Sequence, residues 1–189
     1  MRAHFALAVA AVLVVACSHA PTRPPTAMLG LSADGKVYTL TNLHPDEDRV
    51  TLYSGNFQQP GLIPICSEVT LTYADTSYLS FQVAATGKEY YYYEHAVAAE
   101  PLLINAGHYF GNTCPKDKLA KLTPLEKKGV EQGVPLKGMR KEAVVLACGY
   151  PPKRDTPSLE ADTWRYWSSR MRYFTVDFDA KGLVEKVTY

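Results

Sequence analysis

The sequence has almost no excess of charge of either sign, with 20 lysine and arginine residues against 19 aspartate and glutamate residues. Nucleic-acid binding depends on clustered cationic contacts with phosphates, so this balance argues against a nucleic-acid partner. The sequence also lacks His-x-x-x-His and Cys-x-x-Cys pairs, a Gly-x-Ser-x-Gly elbow and a phosphate-cradling glycine loop. We therefore predict no catalytic residue, no metal and no other cofactor, and we do not expect an enzyme.

The N-terminus contains no apolar run long enough to span a bilayer. Residues 5–16 form a charge-free apolar run after Arg2, whereas a membrane-spanning helix needs about 20 apolar residues. A positive residue followed by a short apolar run is typical of a secretory signal peptide, which we predict over residues 1–16. Residues 17–34 begin with a proline-rich polar stretch and are predicted to be a tether.

The residues around Cys17 indicate how the mature chain would be anchored. The junction Val14-Val15-Ala16-Cys17 resembles a bacterial lipobox, in which cleavage precedes a cysteine that then carries lipid. Several acyl chains on one residue hold a soluble domain firmly on a membrane, since each buried CH₂ contributes about 0.8 kcal/mol. Ser18 follows the cysteine, which favours the outer membrane, facing the periplasm. The alternative is an ordinary secretory signal in which Cys17 has no role.

Cysteine is scarce after Cys17, with only Cys66, Cys114 and Cys148 remaining. Three thiols in an oxidising compartment allow one internal disulfide and leave one thiol over. We favour the pair Cys66–Cys114 and leave the pairing open. Cys148 follows apolar residues at a predicted helix end, so we expect a buried space-filling thiol, with a disulfide or a nucleophile as alternatives.

Residues 35–98 have the composition of short strands separated by turns. Five segments are rich in β-branched and aromatic residues, namely 36–42, 49–53, 68–73, 78–84 and 88–94. Five short strands in about sixty residues are typical of a small antiparallel barrel or rolled sheet. We therefore predict a small antiparallel β-barrel-like, SH3-like module over residues 35–98.

The remaining sequence changes to helical periods and then returns to strands. We predict a helix over 100–110 within a helix-and-linker segment 99–121, and helices over 123–132 and 139–148. Thr123-Pro124-Leu125-Glu126 is a capping box, and Gly133 and Gly149 suit helix ends. Strands are predicted over 164–167, 173–178 and 183–189, so residues 122–189 should form helices packed on a three-stranded sheet.

Several short patterns in this C-terminal part occur in a fixed order. They are Gln132-Gly133, Gly138-Met139, Val144, Gly149-Tyr150-Pro151, Trp164-Arg165-Tyr166, Val176-Asp177-Phe178-Asp179 and Gly182 followed by Leu183-Val184. Residues 122–189 thereby resemble the SmpA/OmlA (BamE-like) outer-membrane lipoprotein domain. The resemblance implies two helices packed on three antiparallel strands, and an accessory, non-catalytic role in β-barrel assembly and envelope integrity through protein and lipid contacts. Residues 35–121 are additional to a typical member.

Two aromatic stretches are candidate binding surfaces. In Tyr90-Tyr91-Tyr92-Tyr93 a strand would turn one pair inward and display the other, and we choose Tyr91 and Tyr93 as the displayed pair. By the same alternation Trp164 and Tyr166 should face the core, which leaves Trp167 and Arg165 outside. The alternative for the tyrosines is that both pairs cover the core of a small barrel and its rim.

These observations lead to two functional hypotheses. The first is a membrane-anchored periplasmic lipoprotein with an α+β fold, acting as a non-enzymatic binding or scaffolding factor for envelope proteins in outer-membrane assembly or maintenance. The second is a peptidoglycan- or glycan-binding module, or a periplasmic inhibitor, that uses the β-rich part. A cysteine-dependent enzyme is a third hypothesis and would require a reactive thiol in the folded state.

Overall fold

The computed structural model describes residues 24–189, so the predicted signal peptide, Cys17 and the first part of the tether lie outside the described residues. The described chain is a mixed α+β protein with a curled six-stranded sheet and a separate three-stranded sheet. This confirms the predicted α+β class. Within residues 24–189, no helix is long and apolar enough to cross a membrane.

The N-terminal half forms the larger sheet. Its strands are β1 (Val37–Thr39), β2 (Thr51–Tyr53), β3 (Glu68–Ala74), β4 (Tyr78–Val83), β5 (Glu89–Tyr93) and β6 (Phe110–Gly111). They lie in the order β2-β5-β4-β3-β1-β6. The first five occur where the sequence predicted them, because each is a short β-branched or aromatic segment bounded by turn residues.

The larger sheet is not wholly antiparallel, and in this respect the prediction was wrong. β2 runs parallel to β5, with Thr51 opposite Tyr91 and Tyr53 opposite Tyr93. Parallel strands cannot be joined by a tight hairpin. Here the chain between β2 and β5 builds β3 and β4 before it returns, and β2 therefore adds at the far edge of the sheet.

The helix predicted over 100–110 is shorter than expected. α2 covers only Leu102–Ala106, and Phe110–Gly111 is strand β6, paired with β1. Phe110 is 1% exposed and packs edge-on against Phe81 at 5.0 Å between ring centroids. Burial of this ring in the core of the larger sheet outweighs the local helical period, which predicts a helix through residue 110.

Two short helices lie where none was predicted. α1 (Pro25–Met28) falls within the segment predicted to be a tether, and α3 (Lys116–Ala120) falls within the predicted linker. Leu29 and Leu31, which follow α1, pack against the core of the larger sheet. The folded part of the described chain therefore begins before residue 35. Single-turn helices carry too few residues to show a period in the sequence.

The core of the larger sheet is built from the inward residues of its strands and from α2. The predicted alternation holds, since Tyr90 and Tyr92 are buried at 4% and 2% exposure. A disulfide joins Cys66 and Cys114, as favoured from the sequence, and ties the entry of β3 to the segment after β6. The buried apolar residues are Val37, Leu43, Leu52, Ile63, Val69, Leu71, Leu79, Phe81, Val83, Tyr90, Tyr92, Leu102, Ala106, Tyr109 and Phe110.

The C-terminal half packs two helices on the smaller sheet. Its main elements are α4 (Pro124–Gln132), α5 (Lys141–Cys148), β7 (Thr163–Trp167), β8 (Tyr173–Phe178) and β9 (Val184–Thr188), with the sheet order β7-β8-β9. The predicted capping box of α4 is present, because the Thr123 hydroxyl accepts from the Glu126 N–H and the Glu126 carboxylate accepts from the Thr123 N–H. Gly133 ends this helix in the left-handed conformation, as predicted.

Glu126 also connects α4 to the start of α5. Its side chain is 2% exposed, and the guanidinium of Arg140 donates to both of its oxygens at 2.7 and 2.8 Å. The Arg140 backbone N–H donates to the same carboxylate at 3.2 Å. These bonds, with those from Thr123, hold the pKa of Glu126 at about 2, below its ordinary 4.5. One buried carboxylate therefore fixes the N-terminal ends of two helices.

The core of the smaller sheet contains Trp164 and Tyr166, at 1% and 0% exposure, so the predicted inward face of β7 is correct. In β9 the buried residue is Val184, whereas Tyr189, at the end of the strand predicted over 183–189, is 84% exposed. A register shift pairs Val184 with Phe178 and changes which side of β9 faces the helices.

α5 ends at the boundary between the two halves, where its last carbonyl groups have no partner within the helix. The Asn42 backbone N–H donates to Leu146 O at 2.9 Å, and its side-chain amide donates to Ala147 O at 3.1 Å. The His44 ring donates from Nε2 to the same Ala147 oxygen at 3.0 Å. Asn42 Oδ1 in turn accepts from the Ile65 N–H at 2.8 Å.

The next carbonyls along the chain are bound in the same way. The Asn56 amide donates to Cys148 O at 2.8 Å and to Tyr150 O at 2.7 Å, and Gln58 Nε2 donates to Cys148 O at 2.9 Å. Gly149, which separates these two acceptors, has φ 73° and ψ −172°, a conformation essentially confined to glycine. Side chains of the N-terminal half thus form the C-terminal cap of α5.

Candidate functional site

Tyr91 and Tyr93 lie side by side on the outward face of β5, as predicted. Each is half-buried, while Tyr90 and Tyr92 point into the core. The two-residue period of a strand explains this division. The outward tyrosine rings are stacked at 6.4 Å between centroids, so they lie against one another as well as facing solvent.

Neighbouring strands place further aromatic rings beside this pair. Tyr78 on β4 is opposite Tyr93 and Tyr53 on β2 pairs with it from the other side, with ring centroids at 5.7 and 6.1 Å. Tyr73 extends the row and stacks on Tyr78 at 4.7 Å. Seven rings, each within 6.4 Å of the next, form what we call the aromatic belt: Tyr73, Tyr78, Tyr91, Tyr93, Tyr53, Phe57 and His95.

Phe57 and His95 at the end of the aromatic belt are held by a tight turn after β2. Asn56 has φ 49°, and its N–H donates to Tyr53 O at 2.8 Å. The Ser54 hydroxyl accepts from the His95 N–H at 2.8 Å, which ties this turn to the end of β5. The Phe57 and His95 rings consequently meet edge-to-face at 4.9 Å.

The protonation of His95 follows from its contacts. Its Nδ1 accepts from the Val97 N–H at 3.3 Å and caps a 3₁₀ helix over Ala96–Ala98. Burial and the nearby charges of Arg154 and Arg170 lower the pKa of His95, so the ring is neutral at pH 7. Because Nδ1 is an acceptor, the proton lies on Nε2, which is therefore a hydrogen-bond donor.

A pocket of about 310 Å³ lies where the aromatic belt meets the smaller sheet. The Gln58 N–H donates to Trp167 O at 2.7 Å, which joins the turn after β2 to the end of β7 at this point. We call it the arginine pocket, and it is lined by Phe57, His95, Val97, Arg154, Trp167 and Arg170. Both halves of the described chain therefore contribute to one site.

Trp167 and Arg165 share the outward face of β7, as predicted, and both are half-buried. The Trp167 indole N–H donates to the Asp155 carboxylate at 2.7 Å, which orients the ring at the arginine pocket. The Arg165 guanidinium lies 4.4 Å from the centroid of the Tyr173 ring, and Tyr173 contacts Trp167 edge-on at 5.5 Å. Arg165 is thus linked to the pocket through Tyr173 and does not line it.

A larger cleft of about 650 Å³ lies on another side of the junction. Met171, Tyr173 and Tyr189 are large exposed apolar residues at its rim, with Met171 90% exposed. His44 lines the cleft, and burial lowers its pKa, so it is neutral at pH 7. The His44 Nε2 already donates a hydrogen bond to Ala147 O.

Cys148 is fully buried in the core of the smaller sheet and forms no disulfide with another cysteine of residues 24–189. Burial raises the pKa of the Cys148 thiol, which disfavours the nucleophilic thiolate. Within the described part of the chain, the Cys148 Sγ makes one polar contact, with the Gly133 carbonyl at 3.9 Å. The structure therefore places Cys148 as the predicted space-filling residue. Across residues 24–189, no group of three histidine, cysteine or acidic side chains could hold a metal ion.

The structure brings three of the four predicted binding residues onto one surface. Tyr91 and Tyr93 belong to the aromatic belt, Trp167 closes the arginine pocket at its end, and Arg165 lies beyond it. The sequence did not predict the other residues of the aromatic belt and the arginine pocket, namely Tyr53, Tyr73, Tyr78, Phe57, His95, Arg154 and Arg170. Strand pairing could have indicated Tyr53 and Tyr78, because they stand beside Tyr93 in the sheet. The loop residues carry no such signal.

Comparison with known proteins found no family model, no curated protein and no solved structure that matches this chain. The observations that bear on function are therefore the aromatic belt, the arginine pocket and the sequence patterns described above.

Proposed function

We propose that this protein is a lipid-anchored envelope protein that acts by binding a partner rather than by catalysis. The observation that carries the proposal is the aromatic belt, which continues across the face of the larger sheet to the arginine pocket. Tyrosine presents a large, rigid apolar face with a polar end, which suits contact with a partner that also meets water. A contiguous aromatic surface of this kind is typical of interaction sites.

The sequence resemblance supports a role in the envelope. The C-terminal half runs in the order α4, α5, β7, β8, β9, with both helices on one sheet, and this order agrees with the BamE-like arrangement. The lipobox at Cys17 agrees with the same family. We propose that the C-terminal half is a BamE-like module and that the N-terminal half provides the binding face. The N-terminal half resembles an SH3-like module in its short curled strands, although β2 and β5 are parallel.

A second candidate function is binding of peptidoglycan or another glycan. The observation that favours it is the near-parallel alignment of two ring pairs in the aromatic belt, Tyr73 with Tyr78 at 21° and Tyr91 with Tyr93 at 20°. Sugar rings have apolar faces that stack on aromatic rings. In this case the aromatic belt holds glycan strands, and the lipid keeps the protein at the membrane beside them.

Membrane anchoring is tested by changing Cys17. We expect the wild-type protein to fractionate with membranes and its mature N-terminus to carry lipid by mass spectrometry, and Cys17→Ala to fractionate as soluble protein. Cys148→Ala is the matched control, because Cys148 is a buried thiol away from the N-terminus. Membrane association of the Cys17→Ala form, with no lipid on the wild-type N-terminus, contradicts the proposal.

The binding surface is tested by replacing both outward tyrosines of β5. We expect Tyr91→Ser/Tyr93→Ser to reduce retention on purified peptidoglycan and to reduce in-cell crosslinking to envelope proteins. Tyr38→Ser is the control, because Tyr38 is half-buried on the outward face of β1 and has no ring contact within the described residues. Retention lost with peptidoglycan alone favours the glycan function, and crosslinks lost with envelope proteins alone favour the scaffolding function. If neither changes, the aromatic belt is not the binding face.

A further inference from the structure

We propose that the arginine pocket binds a carboxylate borne by a glycan, on a sugar or on an attached peptide, whose sugar rings lie along the aromatic belt. The inference rests on the glycan-binding function proposed above and names the ligand chemistry at the end of the belt. It follows from the donors in the pocket, from its charge and from the position of the belt on the face of the sheet.

The polar side chains that line the arginine pocket are hydrogen-bond donors. Arg154 and Arg170 carry guanidinium groups, and neutral His95 presents Nε2–H because its Nδ1 accepts from the Val97 N–H. A ligand group that fits beside them must be an acceptor. A carboxylate is such a group and can accept two parallel bonds from one guanidinium.

The charge of the pocket also favours an anion. Asp155 is the acidic residue that contacts the lining of the pocket. One of its carboxylate oxygens accepts from the Trp167 indole N–H at 2.7 Å, and the other lies 3.7 Å from Arg154 Nε. Arg170 has no hydrogen-bond or ion-pair partner within residues 24–189 and is exposed. One positive charge is therefore left to pair with a ligand.

The position of the aromatic belt favours a glycan over a peptide. Extended peptides usually bind by adding a strand at the edge of a sheet, where backbone groups are unpaired. Tyr78 and Tyr91 lie on β4 and β5, which are interior strands whose backbone groups are already paired with their neighbours. Over β4 and β5 the belt therefore offers tyrosine rings without free backbone groups, which suits sugar rings, and the open backbone edge lies at β2, which carries Tyr53. Phe57 and Trp167 continue the apolar wall up to the arginines.

The test uses the full-length lipoprotein in detergent and isothermal titration with soluble peptidoglycan fragments released by a muramidase. The fragments are used in two forms, native and with their carboxylates converted to methylamides. We expect amidation to weaken binding to the wild-type protein by about tenfold or more, as for loss of a hydrogen bond to a charged group. Arg170→Ala should weaken binding of native fragments by a similar factor and should be insensitive to amidation.

Arg49→Ala is the matched control, because Arg49 is an exposed arginine outside the pocket, and it should behave as the wild type. Equal binding of native and amidated fragments by the wild type, with no effect of Arg170→Ala, overturns the carboxylate inference while glycan binding stands. If the wild type binds neither form, the glycan function itself fails. Tighter, Arg170-dependent binding of a polyglutamate peptide than of the fragments also overturns the inference and makes an acidic peptide the occupant.

Discussion

Replacing Glu126 by glutamine is expected to remove a defined part of the pH dependence of stability. The Glu126 carboxylate accepts from the Arg140 guanidinium and from the Thr123 and Arg140 N–H groups, and these bonds hold its pKa at about 2 against an ordinary 4.5. A shift of this size corresponds to about 3 kcal/mol of folding free energy when the group is ionised. This figure is an upper bound, because Arg140 is 45% exposed and solvent weakens the pair.

The sign of the effect follows from the lowered pKa. The stabilisation by Glu126 is complete above pH 4.5, where the carboxyl ionises in the folded and the unfolded chain, and is lost as the pH falls through 4.5 towards 2. Urea unfolding monitored by tryptophan fluorescence at intervals from pH 7 to pH 2 measures it. The wild type should lose up to about 3 kcal/mol more than Glu126→Gln over this range, whereas Glu131→Gln, an exposed change on the same helix, should follow the wild type. If Glu126→Gln and the wild type lose stability in parallel, Glu126 does not connect the two helices as described.

Three further changes test other parts of the structure. Gly149→Ala should cost about 2 kcal/mol or more in urea unfolding, because φ is positive with ψ near 180° and a Cβ would lie 2.9 Å from the Asn56 amide nitrogen; a neutral effect contradicts the geometry. Cys66→Ser/Cys114→Ser should cost about 4 kcal/mol from the chain entropy of the 48-residue separation, and an unchanged midpoint contradicts this. Cys148 should resist alkylation at pH 8 until the protein is unfolded, and rapid labelling of the folded protein contradicts its burial.

Local patterns were sufficient for much of the fold. The β-branched segments, the Thr123 capping box and the alternation in β5 and β7 depend on neighbours in the chain, so the sequence shows them directly. Phe110 is different, because its place in β6 depends on Phe81 and on an open edge of β1, both distant in the chain. The parallel pairing of β2 with β5 was missed for the same reason, since only the completed sheet determines which edge β2 occupies.

In the candidate site, too, some residues could be predicted from local patterns and others could not. Tyr91, Tyr93 and Trp167 could be chosen from alternation alone, because the outward face of a strand is set by its inward face. Arg154 and Arg170 lie outside the strands, and Arg154 is placed by a contact distant in the chain, its N–H donating to Val97 O at 3.3 Å. A pattern in the sequence cannot show such contacts.

The polar cap on α5 determines how the chain can be divided experimentally. A fragment that begins at residue 122 would keep the two helices and the smaller sheet but would lose Asn42, His44, Asn56 and Gln58, the donors to Ala147 O and Cys148 O. Each of these hydrogen bonds contributes about 1 kcal/mol net, so the fragment would be less stable than the whole chain. The sequence boundary near residue 122 thus marks a change of pattern, whereas folding and unfolding should involve both halves in a single cooperative transition.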